Sequence, residues 1–306
     1  MPFSLSTSWN AFRHSSGEEM LFEILSLGFT EVELGFNLTR EMVDGVKKAS
    51  GKRGFRVSSV HNYCPVPEGM ERGKALPDCH SMSSNDRQER AAAVKFAKRS
   101  IDTAAELNAE AVVLHCGRVE IKDRTREMIA LRLKGEEGNA LLAQTRKEFI
   151  RERKNAAGVF FANALRSLEE LDAYASRRGI KLGIENRFYY REIPSFEETG
   201  EIFRRFAGSS LCFWYDSGHG RIIENLGLAA AGAFIARYSF FLGGLHLHNV
   251  KDFQDHLPPS ADGEIDFRSM AAEIRECPLR VIEAHAPASG ESVSESLSFL
   301  ERITHA

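Results

Sequence analysis

The chain has 306 residues, of which 43% are hydrophobic, and its 40 basic and 43 acidic residues give a formal net charge of −3. Such a chain can bury one large core, but its balanced charge excludes a global field that would hold nucleic acid or an anionic membrane. Residues 1–10 lack a signal-peptide pattern, and no segment offers the roughly 18 apolar residues of a membrane span. The five cysteines are scattered without a CxxC pair, which suggests reduced thiols rather than a disulfide framework. We therefore expect a cytoplasmic protein that makes no membrane contact.

Short β-branched runs alternate with longer amphipathic stretches along the chain. The predicted strands are, in order, Phe3–Ser6, Glu31–Leu34, Val57–Val60, Ala111–Leu114, Leu182–Ile184, Leu211–Tyr215, Leu245–Leu247 and Arg280–Ile282. The predicted helices lie near 17–27, 39–50, 88–107, 156–178, 196–206, 228–240, 268–276 and 291–304. Because this alternation implies parallel strands joined by right-handed crossovers, the eight units predict an α/β fold of the (β/α)₈ TIM-barrel type, with residues 1–306 in a single domain.

The boundaries of several predicted helices carry capping residues that agree with this scheme. Gly28 and Gly179 follow the first and fourth helices, where a left-handed residue commonly ends a helix. Ser195 precedes the fifth helix with Glu198 three residues later, which is the pattern of a capping box. The register of the βα units is therefore fixed at several points.

Residues 118–154, after the fourth strand, contain no predicted strand and hold 11 basic against 7 acidic residues. One interpretation is a solvated helical insertion, because charge runs usually face water. The other is a lid or an anion-binding flap over the mouth of the barrel.

Polar residues stand where the predicted strands end, which is where parallel barrels place their chemistry. They are Glu33, His61, His115, Glu185, Asp216 with His219, His246 with His248, and Glu283. Buried carboxylates cost several kcal/mol without partners, so their repetition at successive strand ends indicates a bound cation. Histidine and carboxylate ligands without thiolate favour zinc or manganese, with cobalt, iron or magnesium as alternatives. His246 and His248, two apart on a strand, are expected to share a face.

With these residues in place, the chain resembles the superfamily of xylose isomerase-like barrels, which includes sugar epimerases and the endonuclease IV type of AP endonuclease. The series Glu185, Asp216, His248 and Glu283 looks like the single-metal site of the isomerases and epimerases. A further set is similar to the extra ligands with which endonuclease IV holds a zinc cluster: His61, His115, His219, Asp255 and His256. In endonuclease IV one residue separates the aspartate and the histidine that correspond to Asp255 and His256, whereas in this chain the two residues are adjacent.

The resemblance implies a divalent-metal-dependent isomerase or epimerase acting on a sugar, keto-polyol or sugar phosphate. Glu185 and Glu283 are then the paired acid and base that move a proton beside a metal-bound carbonyl. Substrate contacts are expected from Arg187, His219, His246, Glu33 and Lys251. For Arg187, Glu33 and Lys251 the alternative role is a structural ion pair. The partner of Arg187 would then be Glu192 or another carboxylate of the barrel.

Two other functions compete with this interpretation. A hydrolase of the AP endonuclease type would use two or three zinc ions to cleave a phosphoester. The negative net charge and the absence of a loop that combines aromatic and basic residues for wedging into a duplex argue against DNA as its partner. A small phosphodiester would then be the substrate. The third alternative is a barrel that binds a ligand without turnover. The sequence leaves the exact substrate and the oligomeric state open.

Overall fold

The computed structural model describes residues 2–305, and the side chains of all of these except 51–53 and 136–137. Eight parallel strands form a closed barrel, in which each strand pairs with its neighbour in sequence order. They are β1 (Ser4–Ser6), β2 (Glu31–Leu34), β3 (Arg56–His61), β4 (Ala111–Leu114), β5 (Lys181–Glu185), β6 (Leu211–Asp216), β7 (Leu242–Leu247) and β10 (Leu279–Ile282). β8 (Asn249–Lys251) and β9 (Gln254–Leu257) form a separate antiparallel hairpin. The predicted barrel and all eight of its strands are confirmed.

The α-helices connect the strands. They are α1 (Gly17–Ser26), α2 (Arg40–Arg53), α3 (Arg87–Glu106), α4 (Thr125–Leu133), α5 (Asn139–Ser176), α6 (Phe196–Arg205), α7 (Ser217–Asn225), α8 (Ala233–Tyr238), α9 (Ala271–Glu276) and α10 (Gly290–His305). Ser195 and Glu198 form the expected capping box at the start of α6. Among residues 2–305, no helix combines the length and the apolar character that crossing a membrane requires.

Side chains alternate between the inside and the outside of a barrel along each strand. Trp214 in β6 is fully buried and packs with Ala111, Val113, Leu279 and Val281. The residues two positions further along two of these strands are Asp216 and Glu283, which are also buried. The barrel therefore has an apolar layer below and a polar layer at the carboxyl ends of its strands.

Trp214 fits inside the barrel because two neighbouring strands carry glycines beside its ring. A Cβ added at Gly244 would lie 2.2 Å from the indole, and one added at Gly183 would lie 2.6 Å from it. We expect Gly244→Ala to lower the free energy of unfolding by about 1–3 kcal/mol, because overpacking forces the ring or the backbone to shift.

Gly158 in α5 is a matched control, because an added Cβ would meet nothing within 4 Å there. Gly158→Ala is expected to be neutral or to stabilise by about 0.5–1 kcal/mol, since alanine restricts the unfolded chain. Denaturant unfolding of both variants measures the difference. Equal stability of the two would mean that the Trp214 packing does not limit the fold.

Two predicted helices differ from the structure. The helix expected near 156–178 is the second half of α5, a continuous helix of 38 residues that begins at Asn139. The charged residues before 156 are good helix formers, so they extend the helix towards the N-terminus. The segment 118–154 therefore consists of α4, a short 3₁₀ turn at Gly135–Gly138 and the first part of α5.

The helix predicted near 228–240 is α8, which is shorter and is preceded by α7. α7 starts directly after β6 because the Asp216 carboxylate accepts a hydrogen bond from the backbone N–H of His219, 2.7 Å away. Gly227 and Gly232 adopt positive φ angles between α7 and α8, which ends the first helix early. The hairpin β8–β9 was not predicted, because its turn residues Asp252 and Phe253 lack the glycine that usually marks such a turn.

Candidate metal centre

A cavity of about 710 Å³ opens at the carboxyl ends of the barrel strands. Its polar lining includes His61, Asp78, His115, Glu185, Arg187, His219, Asp255, His256, Glu283 and His285. Its apolar lining includes Phe36, Leu76, Pro77, Ile129, Phe188 and Phe253. The cavity thus combines a polar floor with apolar walls, as small-molecule sites commonly do.

His246 is completely buried behind the lining residues Glu185 and Glu283 and lies within 4.0 Å of four carboxylates, including Asp216 Oδ2 at 3.8 Å from its Nδ1. Its Nδ1 lies 2.7 Å from Glu185 Oε1 and 3.1 Å from Glu283 Oε2, and its Nε2 lies 3.0 Å from Glu33 Oε1. Glu185, Asp216, His246 and Glu283 each offer a ligand atom, and these atoms lie within 4.8 Å of one another. We call these four residues the carboxylate group.

Asp216 also belongs to a second set, in which His248 Nε2 lies 2.8 Å from its Oδ1. Asp216, His219, His248 and His256 again have ligand atoms within 4.8 Å of one another, and we call them the histidine group. The rings of His248 and His256 stack with centroids 4.2 Å apart, and His285 stacks on the other face of His256 at 3.8 Å. Asp216 therefore joins two potential metal-binding groups.

A third set lies beside the carboxylate group, where His115 Nε2 is 2.8 Å from Glu185 Oε2. His61, His115 and Glu185 form a further possible ligand set. His115 Nδ1 contacts Asp78 Oδ1 at 2.9 Å, and Arg187 contacts both His115 and Glu185. The Arg187 guanidinium thus lies directly against this third set.

The two glutamates of the carboxylate group have different electrostatic environments. Burial raises the pKa of Glu283 to about 7, against the opposing effects of His246 and His256. Burial also opposes ionisation of Glu185, but the Arg187 charge and the hydrogen bonds from histidines hold its pKa well below the ordinary value. Glu185 is therefore the more readily ionised of the pair.

The surrounding histidines also divide into two classes. Burial lowers the pKa of His61 to about 4, with a contribution from His115, and burial likewise lowers that of His219 to about 4. Burial opposes protonation of His256 too, but its hydrogen bond with Asp255 and the charge of Glu283 raise its pKa to about 9. The neutral imidazoles of His61 and His219 are in the form that binds metal ions.

The carboxylate group has the chemistry of a divalent-metal site. Its carboxylates are buried, converge on one point and include no thiolate, which suits a cation bound by oxygen and imidazole. Asn186 holds the backbone around Asp216 by donating to its carbonyl oxygen at 2.9 Å and accepting from its N–H at 2.7 Å. The residues present therefore fit a metal ion.

The structure brings most of the predicted site residues to this floor, but it groups them differently from the resemblance. His246, expected to contact substrate, lies inside the carboxylate group, whereas His248 lies in the histidine group. Asp255 and His256 contact each other at 3.2 Å, and Asp255 Oδ2 is 4.0 Å from His219. Among the described residues, Asp255 is in none of the potential ligand sets, while His256 is.

Glu33, Asp216, His246 and His248 are fully buried and do not line the cavity themselves, whereas Lys251 lies away from the site altogether. Lys251 is exposed on β8 and lines a separate surface groove beside α10. The chain leaves the barrel after Leu247 and reverses into the hairpin, so strand alternation no longer directs side chains inwards. Asp252 does line the cavity, from the tip of the hairpin.

The polar residues of the site that the sequence prediction lacks include Asp78, His285 and Asn186. Asp78 comes from the long loop after β3, where no local pattern marks it. His285 forms a possible ligand set with His256 and Glu283, and its position two residues after Glu283 could have indicated it. Asn186 directly follows Glu185, but an amide beside a ligand has no distinctive spacing.

Arg187 makes the ion pair that was its alternative role. Its Nε lies 3.3 Å from Glu192 Oε2, and its Nη1 contacts Glu185. Arg187 nevertheless lines the cavity, so the same guanidinium faces both the ion pairs and the open space.

A closed parallel barrel with buried histidine and carboxylate groups at its strand ends defines the class of this protein. The chain belongs to the family of xylose isomerase-like TIM barrels, whose model matches residues 21–303. The resemblance noted from the sequence is confirmed.

One relative is the uncharacterized protein y4fM of Sinorhizobium fredii, 26% identical over 219 residues. The match covers 71% of this chain and 58% of y4fM, so the chain spans less than two thirds of that relative's length.

Several solved structures share the fold at low sequence identity. A D-tagatose 3-epimerase-like protein is 17% identical with a TM-score of 0.68, covering 100% of this chain and 97% of its own. The 3-keto-D-glucoside 4-epimerase YcjR from E. coli is 15% identical with a TM-score of 0.70, covering 99% of both chains. The D-psicose 3-epimerase from Clostridium cellulolyticum H10 is 13% identical with a TM-score of 0.68, also covering 99% of both. At these identities the likeness establishes the fold.

Proposed function

We propose that the protein is a divalent-metal-dependent isomerase or epimerase acting on a sugar, keto-polyol or sugar phosphate. The observation that carries this proposal is the convergence of Glu185 and Glu283 on His246 at the floor of an open cavity. The two glutamates extend from β5 and from the end of β10, two strands separated in the barrel by β6 and β7. The sugar epimerases of the same fold support the same reaction class.

Glu185, Asp216 and Glu283, with His246 or His248, would hold the ion. A bound divalent metal would supply Lewis acidity that polarises a substrate carbonyl and acidifies the neighbouring C–H bond. Zinc and manganese suit this donor set, and cobalt, iron or magnesium are alternatives.

Glu185 and Glu283 would carry out the proton transfer. One carboxylate removes the proton from the carbon, and the other returns a proton to complete the isomerisation or the inversion. Two carboxylates on separate strands suit this exchange because they reach the substrate from different directions. His219 and Arg187, both lining the cavity, would bind substrate oxygens.

The proposal is tested by metal analysis of the purified, untagged chain, followed by assay of the metal-loaded protein on keto sugars and inosose-like compounds. About one metal ion per chain and interconversion of a keto sugar would support it. No metal after reconstitution, or metal without turnover on any keto sugar, would overturn it. Binding without turnover would instead favour a ligand-binding barrel.

A second candidate is a multi-metal hydrolase of phosphoesters. The further ligand set of His61, His115 and Glu185 is the specific observation that favours it. Against it, Arg187 occupies the immediate neighbourhood of that set and contacts two of its members. A positive charge there opposes the binding of an additional cation.

Replacement of His61 or His115 by alanine separates the two candidates. Under the isomerase proposal, we expect both variants to bind as many metal ions as the wild type at saturating metal, because neither residue belongs to the carboxylate group. His115→Ala should weaken the metal affinity, since His115 contacts Glu185. Elemental analysis per polypeptide measures the number of bound ions. Loss of one metal equivalent in either variant, together with phosphodiesterase activity in the wild type, would transfer the assignment to the hydrolase.

A further inference from the structure

Three arginines of the segment 118–154 are held in ion pairs, whereas Arg126, Arg132, Arg146 and Arg151 have no carboxylate partner among the described side chains. Arg118 pairs with Glu120, Arg124 lies within 4.0 Å of Glu148 and Glu152, and Arg153 is bound to Glu198. Of the four arginines without a carboxylate partner, Arg126 is the one that lines the cavity. It lies one helical turn from Ile129, which also lines the cavity.

The guanidinium of Arg126 is held in place by two aromatic residues. Its Nη2 and Nε donate to the Tyr189 hydroxyl at 2.7 and 3.2 Å. Its Cζ lies 5.6 Å from the centre of the Phe188 ring and 5.5 Å from that of Tyr189. These contacts use two of the five N–H donors of this exposed side chain, so the others are available to a ligand in the cavity.

Most acidic residues of the cavity lining have histidine partners rather than Arg126. Asp78 is paired with His115, and Asp255 with His256, while Glu185 and Glu283 contact His246. Asp252, at the hairpin tip, is the other acidic residue of the lining. The cavity lining also includes the apolar residues Leu76, Ile129 and Phe253, and apolar walls strengthen the field of a charge.

We propose that the substrate carries an oxyanion, a carboxylate or a phosphate, at the end opposite its reacting carbonyl, and that Arg126 and the Tyr189 hydroxyl bind it. This inference rests on the proposed isomerase or epimerase function and narrows its substrate to an acidic sugar or a sugar phosphate. The planar guanidinium presents parallel donors that match both groups, and the Tyr189 hydroxyl, which accepts from Arg126, can donate its own proton to the same anion. Arg126 would thereby determine specificity, and α4 would form part of the binding site.

Calorimetric titration of the metal-loaded full chain with D-fructose, D-fructose 6-phosphate and the hexuronate D-tagaturonate tests this inference. We expect at least one of the two anionic sugars to bind about tenfold more tightly than fructose, because a charge-assisted pair contributes roughly that factor. In Arg126→Met, the dissociation constant for fructose should exceed that for the anionic sugar by about twofold or less. Arg126→Lys keeps the charge without the planar donors and should give an intermediate ratio of the two dissociation constants.

Arg132→Met is the matched control, since Arg132 is an exposed arginine of α4 outside the cavity lining and its loss changes the net charge equally. It should keep the wild-type ratio. Which anionic sugar binds more tightly identifies the oxyanion as phosphate or carboxylate. Turnover of a keto sugar with no preference for either anion, or an unchanged ratio in Arg126→Met, would overturn the inference and leave the proposed function intact. If the metal-loaded chain neither bound nor converted any of the three sugars, both would fail.

Discussion

Asp216→Ala is expected to remove the bound metal and abolish turnover. Asp216 is the single residue shared by the carboxylate group and the histidine group, and it is completely buried. Its loss therefore affects the metal whether His246 or His248 completes the site. Since removing an outer-shell partner already costs roughly 10–100-fold in metal affinity, loss of a direct ligand should exceed that range.

The measurement is metal content per chain after dialysis against a weak chelator, together with the thermal unfolding temperature with and without added metal. Wild type should be stabilised by the metal, because the ion binds the folded state, and Asp216→Ala should not be. Asp262→Ala, in the exposed loop after β9, is the control and should behave like wild type. Full metal retention by Asp216→Ala would contradict the placement of the site.

Glu185→Gln and Glu283→Gln are each expected to reduce kcat by about 10²–10⁴-fold, the usual contribution of a positioned acid or base. Glutamine keeps the size and hydrogen-bonding shape of the side chain but cannot carry the proton. Under the proposed mechanism, wild type in D₂O should introduce deuterium at the carbon that loses its proton. Mass spectrometry of the recovered sugar measures this exchange.

The Glu185→Gln and Glu283→Gln variants should also differ from each other in how they exchange the substrate proton with solvent. If one glutamate removes the proton and the other returns it, a single variant can still exchange the substrate proton without forming product. Comparison with the metal content of each variant separates loss of proton transfer from loss of the ion. Product formation at wild-type rates in both variants would exclude the glutamates as the acid and base. Gln variants of Glu192, which contacts Arg187 rather than His246, provide a comparison for altered charge near the site.

The long helix α5 shows how sequence patterns can locate an element and misplace its start. Its apolar face was evident after residue 156, where it packs on the barrel, but the preceding residues have few apolar positions. They continue the helix because nothing in their sequence interrupts it, and Gly158 is accommodated within it. Contact with α4 places this part of the helix, and that contact has no local signature.

In the candidate site, too, local sequence patterns determined some features and the tertiary structure determined others. Sequence alone determined the eight alternating βα units and the polar residues at the strand ends, because the period-two pattern of strands and the register of capped helices are local properties. It could not determine which of those residues share a ligand set. That depends on strand stagger and side-chain direction around a closed barrel, which place His246 rather than His248 beside Glu185 and Glu283.

Asp78, Arg126 and the hairpin β8–β9 depended entirely on the tertiary structure. They reach the cavity from loops and from the insertion, whose paths follow packing between residues far apart in sequence. Lys251 was directed away from the cavity for the same reason, since the chain reverses after the last barrel residue of β7. Sequence thus determined the barrel and its polar floor, whereas the folded chain decided the grouping of ligands and the walls that a substrate would meet, because those arise from long-range contacts that no local pattern encodes.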